Sequence, residues 1–410
     1  MRPVNKKFLR KKPLFFALLL CLLIINGCWD SRELQNLGII LGAGVDVLAP
    51  GESAQGGRIR LTVEIANIAE GTSQQGNPNV NGFIFTSEGA TLPEAVYNLR
   101  NMVNKELFWG QTQVLLFGED ALKEGINQYL EYFAKERELH PTVRLAAVSG
   151  KAGDYFRVGG GLSDIFSFGF SGILQSNVQS GVATVRAVTI EDYLEALYAP
   201  WGAPLLPYAF LDGPQDGGRA GGGEEGGEDE EGGEDEEGGE DEEGGGLRQV
   251  CFDGMMVLNR EGAAAALLGK ESSLGTMIWR GWADNFPLAL EDSGGKRTVV
   301  EVFDCRVKRS WRAGAQGLEL WLEVRLKAKS REGGTESEVL AGVLEQETER
   351  LLRSCWEKSL TSGEDFLLAG RDLRRHDYRG WQNLEGGWPA AMRGVKLAIE
   401  VKARVFSSAN

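Results

Sequence analysis

Apolar and polar residues alternate along several segments of the chain with the period of a β-strand. The clearest segment is Leu318 to Ala328, in which every second residue is apolar. Val395 to Val405 and Arg58 to Ala66 alternate in the same way, which is typical of strands with one buried face. On Arg58 to Ala66, we expect Thr62 and Glu64 to lie on the polar, exposed face. Leu37 to Asp46 is continuously apolar with interspersed glycines, and we predict a buried strand there.

Helical spacing of apolar residues separates these strands. It predicts helices at Leu92 to Val103, Glu119 to Phe133, Val188 to Tyr198 and Glu338 to Trp356. The Gly-, Ser- and Phe-rich run from Gly159 to Gly172 is ambiguous, and a flexible or partly buried loop is one interpretation of it. The first half of the chain therefore reads as an α/β unit, and the end as two long antiparallel-type strands with one long helix. We predict an α+β protein of several domains, with mixed sheets packed against helices.

The N-terminus has the three parts of an export signal. Basic residues precede Leu14 to Ile25, an apolar run of 12 residues. A bilayer span takes about 20 residues, so this run suits a signal peptide better than a membrane helix. Ile25-Asn26-Gly27-Cys28 then fits a lipobox, so we predict that Cys28 is the first mature residue and the lipidation site. The alternative is an uncleaved signal anchor with an incidental cysteine.

An acidic, glycine-rich segment interrupts the chain. Residues 224–243 contain 14 acidic and no basic residues, and removing those charges from the net −15 leaves −1. Glycine entropy and like-charge repulsion predict disorder there, although cation binding, for example of Ca²⁺, is an alternative. We predict a signal peptide at 1–27, an N-terminal α/β region at 28–211, a disordered acidic linker at 212–246, a small middle domain at 247–295 and a C-terminal α+β domain at 296–410.

Residues typical of catalytic, metal or cofactor sites are scarce. The two histidines have no nucleophile beside them, and no P-loop or zinc-protease motif occurs. No basic stripe stands out, so nucleic-acid binding has no support. Cys251, Cys305 and Cys355 show no metal-site spacing; they allow at most one disulfide, and we expect ordinary buried residues. Glu364-Asp365 suggests a turn or helix cap. We therefore expect no enzyme activity, cofactor or metal.

The start of the mature chain resembles a known family. Cys28-Trp29-Asp30-Ser31-Arg32-Glu33-Leu34 is similar to the first residues of the Ger(x)C proteins, the lipoprotein C subunits of spore germinant receptors, also called the GerAC family. Weaker similarities follow in the family's order at Thr86 to Phe117, Leu205 to Pro207, Asp253 to Leu258 and Glu364 to Gly370. The chain departs from the family in its acidic insert. It also lacks the first glycine of the last motif, where Leu367 or Leu368 stands.

The resemblance implies a three-domain lipoprotein on the outer face of the inner spore membrane. It would be a non-enzymatic receptor subunit that acts with two membrane-spanning subunits when nutrients trigger germination. Of the family's functional residues, only the lipidated Cys28 carries over, with an acyl chain such as palmitate. The first rival is a lipid-anchored solute-binding protein that captures a small nutrient itself. The second rival is a lipid-anchored cell-wall hydrolase, against which the scarce histidines argue.

Overall fold

The computed structural model describes residues 36–53, 56–66, 82–158, 163, 165–179, 185–213, 248–291, 295–314, 317–330, 337–388 and 390–407. The predicted signal peptide and Cys28 lie outside these ranges. Nearly all of the predicted acidic linker lies outside them as well. Among the helices in the described part of the chain, none is long and apolar enough to span a membrane.

The first sheet is built by residues 37 to 268. Its strands are β1 (Leu37–Val47), β2 (Ile59–Ala66), β3 (Gly82–Gly89), β4 (Glu106–Phe108), β5 (Val114–Phe117), β6 (Arg144–Val148), β7 (Val188–Thr189), β8 (Leu205–Asp212), β9 (Gln249–Leu258) and β10 (Ala264–Leu268). The helices between them are α1 (Leu92–Met102), α2 (Glu119–Glu124), α3 (Asn127–Lys135), α4 (Ala152–Tyr155), α5 (Phe166–Gln179) and α6 (Ile190–Tyr198).

This sheet is mixed. Its order over the described residues is β10-β9-β8-β6-β5-β1-β2-β3, with β4 beside β1 and β7 beside β6. Strands β1, β5, β6 and β8 are parallel, and antiparallel strands flank them on both sides. Parallel neighbours need crossover connections, and helices α1 to α6 lie in them. The predicted α/β unit is therefore confirmed.

Strands β8 and β9 lie on the two sides of the acidic insert and are antiparallel neighbours. The chain thus leaves the first sheet at Asp212 and returns to the same sheet at Gln249. Farther along, residues 286–291 join the second sheet. The domain limits drawn from the sequence stay a prediction, and this pairing favours counting residues 249–268 with the N-terminal region.

The second sheet is smaller and has a helical cover. It contains β11 (Phe286–Glu291), β12 (Arg297–Gly314), β13 (Gly317–Ser330) and β14 (Lys396–Ser407), in that order across the described residues. Its helices are α7 (Lys270–Arg280), α8 (Ser337–Ser362), α9 (Ala369–His376) and α10 (Tyr378–Leu384), and short 3₁₀ turns follow at Glu385–Gly387 and Ala390–Gly394. The predicted α+β fold with mixed sheets is confirmed.

The antiparallel arrangement expected for the two long alternating strands is wrong. Strands β13 and β14 pair in parallel over their whole length, from Glu319 beside Lys396 to Ser330 beside Ser407. The cause is the position of α8 in the chain, because it carries the backbone back to the end of the sheet where β13 began. Antiparallel pairing occurs instead between β12 and β13.

One helix prediction also needs correction. The single helix expected from Glu119 to Phe133 is two helices, because Gly125 has a φ of 101° that ends α2. The ambiguous Gly-, Ser- and Phe-rich run contains the start of α5. There Phe166, Phe170 and Leu174 are buried one helical turn apart, and the intervening glycine and serines had hidden this spacing.

The polar face expected on β2 is not exposed. Thr62 and Glu64 are as buried as the apolar residues beside them. The Glu64 carboxylate accepts hydrogen bonds from the backbone N–H of Phe166 at 2.9 Å and of Ser167 at 2.8 Å. Helix α5 therefore covers this face, and Glu64 satisfies the free N–H groups at the start of that helix.

Candidate functional site

The last of the family-like segments, Glu364 to Gly370, lies where the two sheets meet. The buried Asp365 carboxylate accepts hydrogen bonds from the backbone N–H of Ala369 at 2.9 Å and of Gly370 at 2.7 Å, both in the first turn of α9. It also accepts one from the indole N–H of Trp388 at 2.9 Å. The predicted role of Glu364-Asp365 as a turn or helix cap is confirmed.

Backbone geometry shows which leucine stands at the glycine position of this motif. Leu368 has a φ of 63° and is the single non-glycine residue with positive φ in the described chain. This left-handed conformation costs a leucine about 1–2 kcal/mol. Two residues on, Gly370 leaves no room for a side chain, because a Cβ there would lie 2.6 Å from Trp388 Nε1.

A half-buried arginine lies near Asp365. Arg280, the last residue of α7, donates from Nε to the carbonyl of Phe366 at 2.7 Å. Burial lowers the pKa of Arg280 to about 9, although Asp365 favours its charged form. Burial likewise raises the pKa of Asp365, against the three N–H donors and Arg280, which favour the carboxylate. Each charge therefore depends on the other to offset its desolvation.

Two more arginines and a second aspartate extend the cluster. Arg309, on β12, lies with Nε 2.7 Å from Asp372 Oδ2 and also donates to the carbonyl of Trp279. Arg371 Nε lies 3.7 Å from the other oxygen of Asp372, and burial lowers the pKa of this arginine. The cluster thus ties α7 and α9 to the second sheet.

The N-terminal region enters this cluster through aromatic contacts. Just before β7, the Arg186 guanidinium lies 4.2 Å from the centre of the Trp282 ring, over which Arg280 also lies, at 4.4 Å. Just before β8, Trp201 contacts Trp381 of α10 with ring centres 6.4 Å apart. Cation–π and edge-to-face contacts of this kind are directional, so they fix the relative position of the two regions.

A line of tryptophans continues behind this contact. The ring of Trp381 lies 5.5 Å from that of Trp388, which lies 6.4 Å from that of Trp311. Nearby, Trp279 of α7 stacks on Trp356 of α8 at 5.5 Å. The sequence shows ten tryptophans but not that most of them meet here. Arg280 and Arg309 were missed for the same reason, because their partners are far away in the chain.

The junction is densely packed and contains no reactive constellation. Within the described ranges, no group of three or more His, Cys, Asp or Glu side chains could hold a metal ion. Both histidines are exposed and far in sequence from the cysteines. The buried thiols of Cys305 and Cys355 have pKa values raised by burial, to about 12 for Cys305, and these two match the expected ordinary buried residues. Cys251 is half-buried, and all three are free thiols.

The clefts on the described surface are shallow. One of about 240 Å³ lies between α3 and α6, where the Tyr193 hydroxyl donates to Asn127 Oδ1 at 2.7 Å. Another of about 520 Å³ lies between β11 and α8, where Arg350 pairs with Glu347 and Glu271. These ion pairs raise the pKa of Arg350. Cys28, the one site predicted from the sequence, lies outside the described residues.

Comparison with known proteins adds a family. Residues 30–211 match the family model described as the spore germination protein N-terminal domain. The chain is 26% identical over 200 residues to spore germination protein KC of Bacillus subtilis (strain 168), which is 48% of each chain. It is 27% identical over 148 residues to spore germination protein B3 of the same organism, which is 35% of this chain and 37% of that protein. These matches span about half or less of the relatives' length.

The fold has a solved counterpart. The crystal structure of the GerBC protein aligns with 92% of this chain and 100% of its own, with a TM-score of 0.53 and 14% sequence identity. At this identity the similarity shows the fold alone. The domain match begins beside the Trp29 to Leu34 signature, and it supports the family predicted from the sequence. Over residues 30–211, the chain therefore carries the N-terminal domain of spore germination proteins.

Proposed function

We propose that the protein is a non-enzymatic, lipid-anchored subunit of a spore nutrient-germinant receptor. It acts with two membrane-spanning partner subunits on the outer face of the inner spore membrane. The observation that carries the proposal is the family domain at residues 30–211, which begins two residues after the lipobox cysteine, Cys28. The order of signal, cysteine and domain is that of a lipoprotein whose folded part starts at its anchor.

The anchor limits how far the fold can lie from the bilayer. Eight residues separate Cys28 from Leu37, where β1 begins. A fully extended chain of this length reaches about 30 Å. Stable attachment needs two or more acyl chains, each contributing about 0.8 kcal/mol per buried CH₂. A lipidated Cys28 would therefore hold the first sheet close to the membrane surface.

The junction gives such a subunit a mechanical role rather than a chemical one. The contacts of Arg186 with Trp282 and of Trp201 with Trp381 hold the two sheets in one relative position. A movement of one region is then passed to the other instead of being absorbed by a linker. We infer that the subunit passes a movement between its partners through this joint.

Replacement of the anchor cysteine tests the proposal. In spores that carry Cys28→Ala, the protein should leave the membrane fraction and the germination response to nutrients should be lost. Cys251→Ala is the matched control, because this thiol is free and only half-buried, and it should leave both measurements unchanged. Normal localisation and full germination with Cys28→Ala would contradict the anchoring.

One observation favours the rival function of a solute-binding protein. The cleft between α3 and α6 combines apolar Leu130 and Leu194 with the polar groups of Tyr193 and Arg260. Calorimetric titration of the chain with amino acids and sugars would separate the two functions. Tight binding that is lost with Tyr193→Phe and Arg260→Ala would favour direct capture of a nutrient. The proposed function expects no binding at this cleft.

A further inference from the structure

The outer face of the second sheet collects basic residues from three strands. Register places Asp304, Lys327 and Arg404 side by side on β12, β13 and β14. One row along, it places three cations together, namely Arg306, Arg325 and Lys402. We call the exposed residues Arg306, Arg325, Lys327, Lys329, Lys402 and Arg404 the basic face. Along the sequence, apolar residues separate these cations, so no basic stripe is visible there.

Charges on this face do not cancel. Asp304 pairs with Arg306 at 3.0 Å and with Lys327 at 2.8 Å. Glu323 and Glu400 each pair with one further cation, Arg325 at 2.5 Å and Lys402 at 2.6 Å. The six cations of the basic face therefore have three carboxylates as partners. Elsewhere on the same face of the sheet, Lys308, Arg312 and Lys396 add three positive charges and Glu301 and Glu319 add two negative ones. The excess stands out, since the chain without its acidic insert has a net charge of only −1.

Exposed apolar side chains border the basic face. Val299 is 50% exposed, Phe303 40% and Phe406 47%. The two phenylalanine rings lie 6.0 Å apart, and Lys329 Nζ lies 5.3 Å from the centre of the Phe303 ring. The exposure of these rings and of the cations shows that no described element covers this side of the sheet. Apolar and basic side chains together form one open surface.

We propose that this surface docks on an anionic lipid bilayer. Basic side chains attract acidic headgroups, while aromatic rings prefer the boundary between headgroups and acyl chains. The open sheet surface presents both kinds of side chain, so it can contact the headgroups and the boundary with the acyl chains at the same time. The alternative occupant within the chain is the acidic insert, which matches the charge. However, residues 224–243 are Glu, Asp and Gly alone and offer nothing to Phe303 and Phe406.

The inference extends the proposed function. The lipid anchor would bring the first sheet to the membrane, and the basic face would bring the second, so that both sheets meet the same surface. A chain held at two points has a defined orientation, whereas a chain held by its anchor alone can rotate about it.

Vesicle binding tests the proposal without the anchor. The mature chain with Cys28→Ala, which carries no lipid, is sedimented with vesicles of phosphatidylglycerol and phosphatidylcholine in equal parts, and with vesicles of phosphatidylcholine alone. It should bind the anionic vesicles only, and salt should weaken this binding. Neutralising Lys402 or Arg404 to Gln should lower the partition coefficient about fivefold each. Phe406→Ser should also lower the partition coefficient, because it removes an aromatic ring from the docking surface.

Matched controls lie on the first region. Lys123→Gln and Lys135→Gln remove charges that are equally exposed, with 68% and 79% exposed side chains, and should leave binding unchanged. All variants alter exposed side chains, and equal thermal unfolding temperatures would show that they fold. Absence of binding to anionic vesicles would overturn the proposal. Equal vesicle binding by the basic-face variants and the wild type would also overturn the proposal. If those variants then no longer co-purified with membrane proteins, the basic face would be a protein contact instead.

The result is independent of the proposed function. Vesicle binding by the unlipidated chain can fail while Cys28→Ala still abolishes membrane localisation in spores. In that case the lipid anchor is supported and membrane docking by the basic face is excluded. The reverse pair of outcomes would exclude the lipid anchor and support docking by the basic face.

Discussion

The two sheets differ in how many of their faces are covered, and the same residue types behave differently in each. In the first sheet, β1 and β5 are buried on both faces, and Glu64 on β2 caps a helix. In the second sheet, β13 alternates between buried and exposed residues. Its outward Glu323 pairs with Arg325 in solvent. A carboxylate covered by a helix stabilises the fold, whereas one on an open face can be replaced with little effect on stability.

The carboxyl groups also titrate in opposite directions. On the covered side, burial raises the pKa of Asp46, which accepts hydrogen bonds from the N–H groups of Ala152 and Gly153. On the open side, hydrogen bonds from lysine and arginine lower the pKa values of Asp304 and Glu323. Desolvation therefore dominates under the helices, and the cationic partner dominates in solvent.

The largest effect is expected at the junction, where the covered side of the second sheet meets the first. Asp365→Ala removes the acceptor of three N–H donors and a negative charge that favours the charged form of Arg280. Three N–H donors left buried without an acceptor cost about 3–5 kcal/mol of the free energy of unfolding. Urea denaturation followed by tryptophan fluorescence measures this loss. A loss below 1 kcal/mol would show that water replaces the carboxylate as acceptor and that the junction is loosely packed.

A smaller effect separates the two sheets directly. Glu64→Ala leaves the N–H groups of Phe166 and Ser167 buried without acceptors, which we expect to cost about 3 kcal/mol of the free energy of unfolding. Glu323→Ala is the matched change on the open face, and it should stay within about 0.5 kcal/mol. Parallel urea denaturation of both variants checks the difference. Equal losses would mean that covering the sheet does not decide the role of its carboxylates.

Two neighbouring leucines test the backbone at the junction. Leu367 is buried, so Leu367→Gly should cost about 3 kcal/mol through the cavity it leaves. Leu368→Gly should change the free energy of unfolding by less than about 1 kcal/mol, because relief of the left-handed conformation offsets the lost contacts. Thermal unfolding of the two variants checks this order. The opposite order would place the missing glycine of the family motif at Leu367.

The comparison also explains what could be predicted from the sequence. Strands β13 and β14 were found because their one open face imposes strict alternation on the sequence. On β2 the same alternation misled, since it does not show that a helix covers the polar face. The proximity of Arg280 to Asp365 is not visible in the sequence, because contacts between distant segments leave no local pattern. Cys28 was found from its local motif and stays a prediction.

The smallest effect is a difference in pH dependence. The folded pKa of Asp46 lies above its ordinary value of 3.8. Between these two values the folded state binds more protons than the unfolded state, so the free energy of unfolding falls as pH rises, by at most about 1.4 kcal/mol per pH unit. Asp46→Asn removes this fall, although losing one acceptor oxygen also lowers stability at every pH.

Glu323→Gln should have the opposite effect on the slope. The lowered pKa of Glu323 gives stability that is lost as pH falls through it, so the variant should remove a small rise of the free energy of unfolding with pH. Urea denaturation at a series of pH values from about 3 to 7 measures both slopes. Slopes of the same sign would show that solvent reaches Asp46, and the covered sheet would then differ from the open one in packing but not in electrostatics.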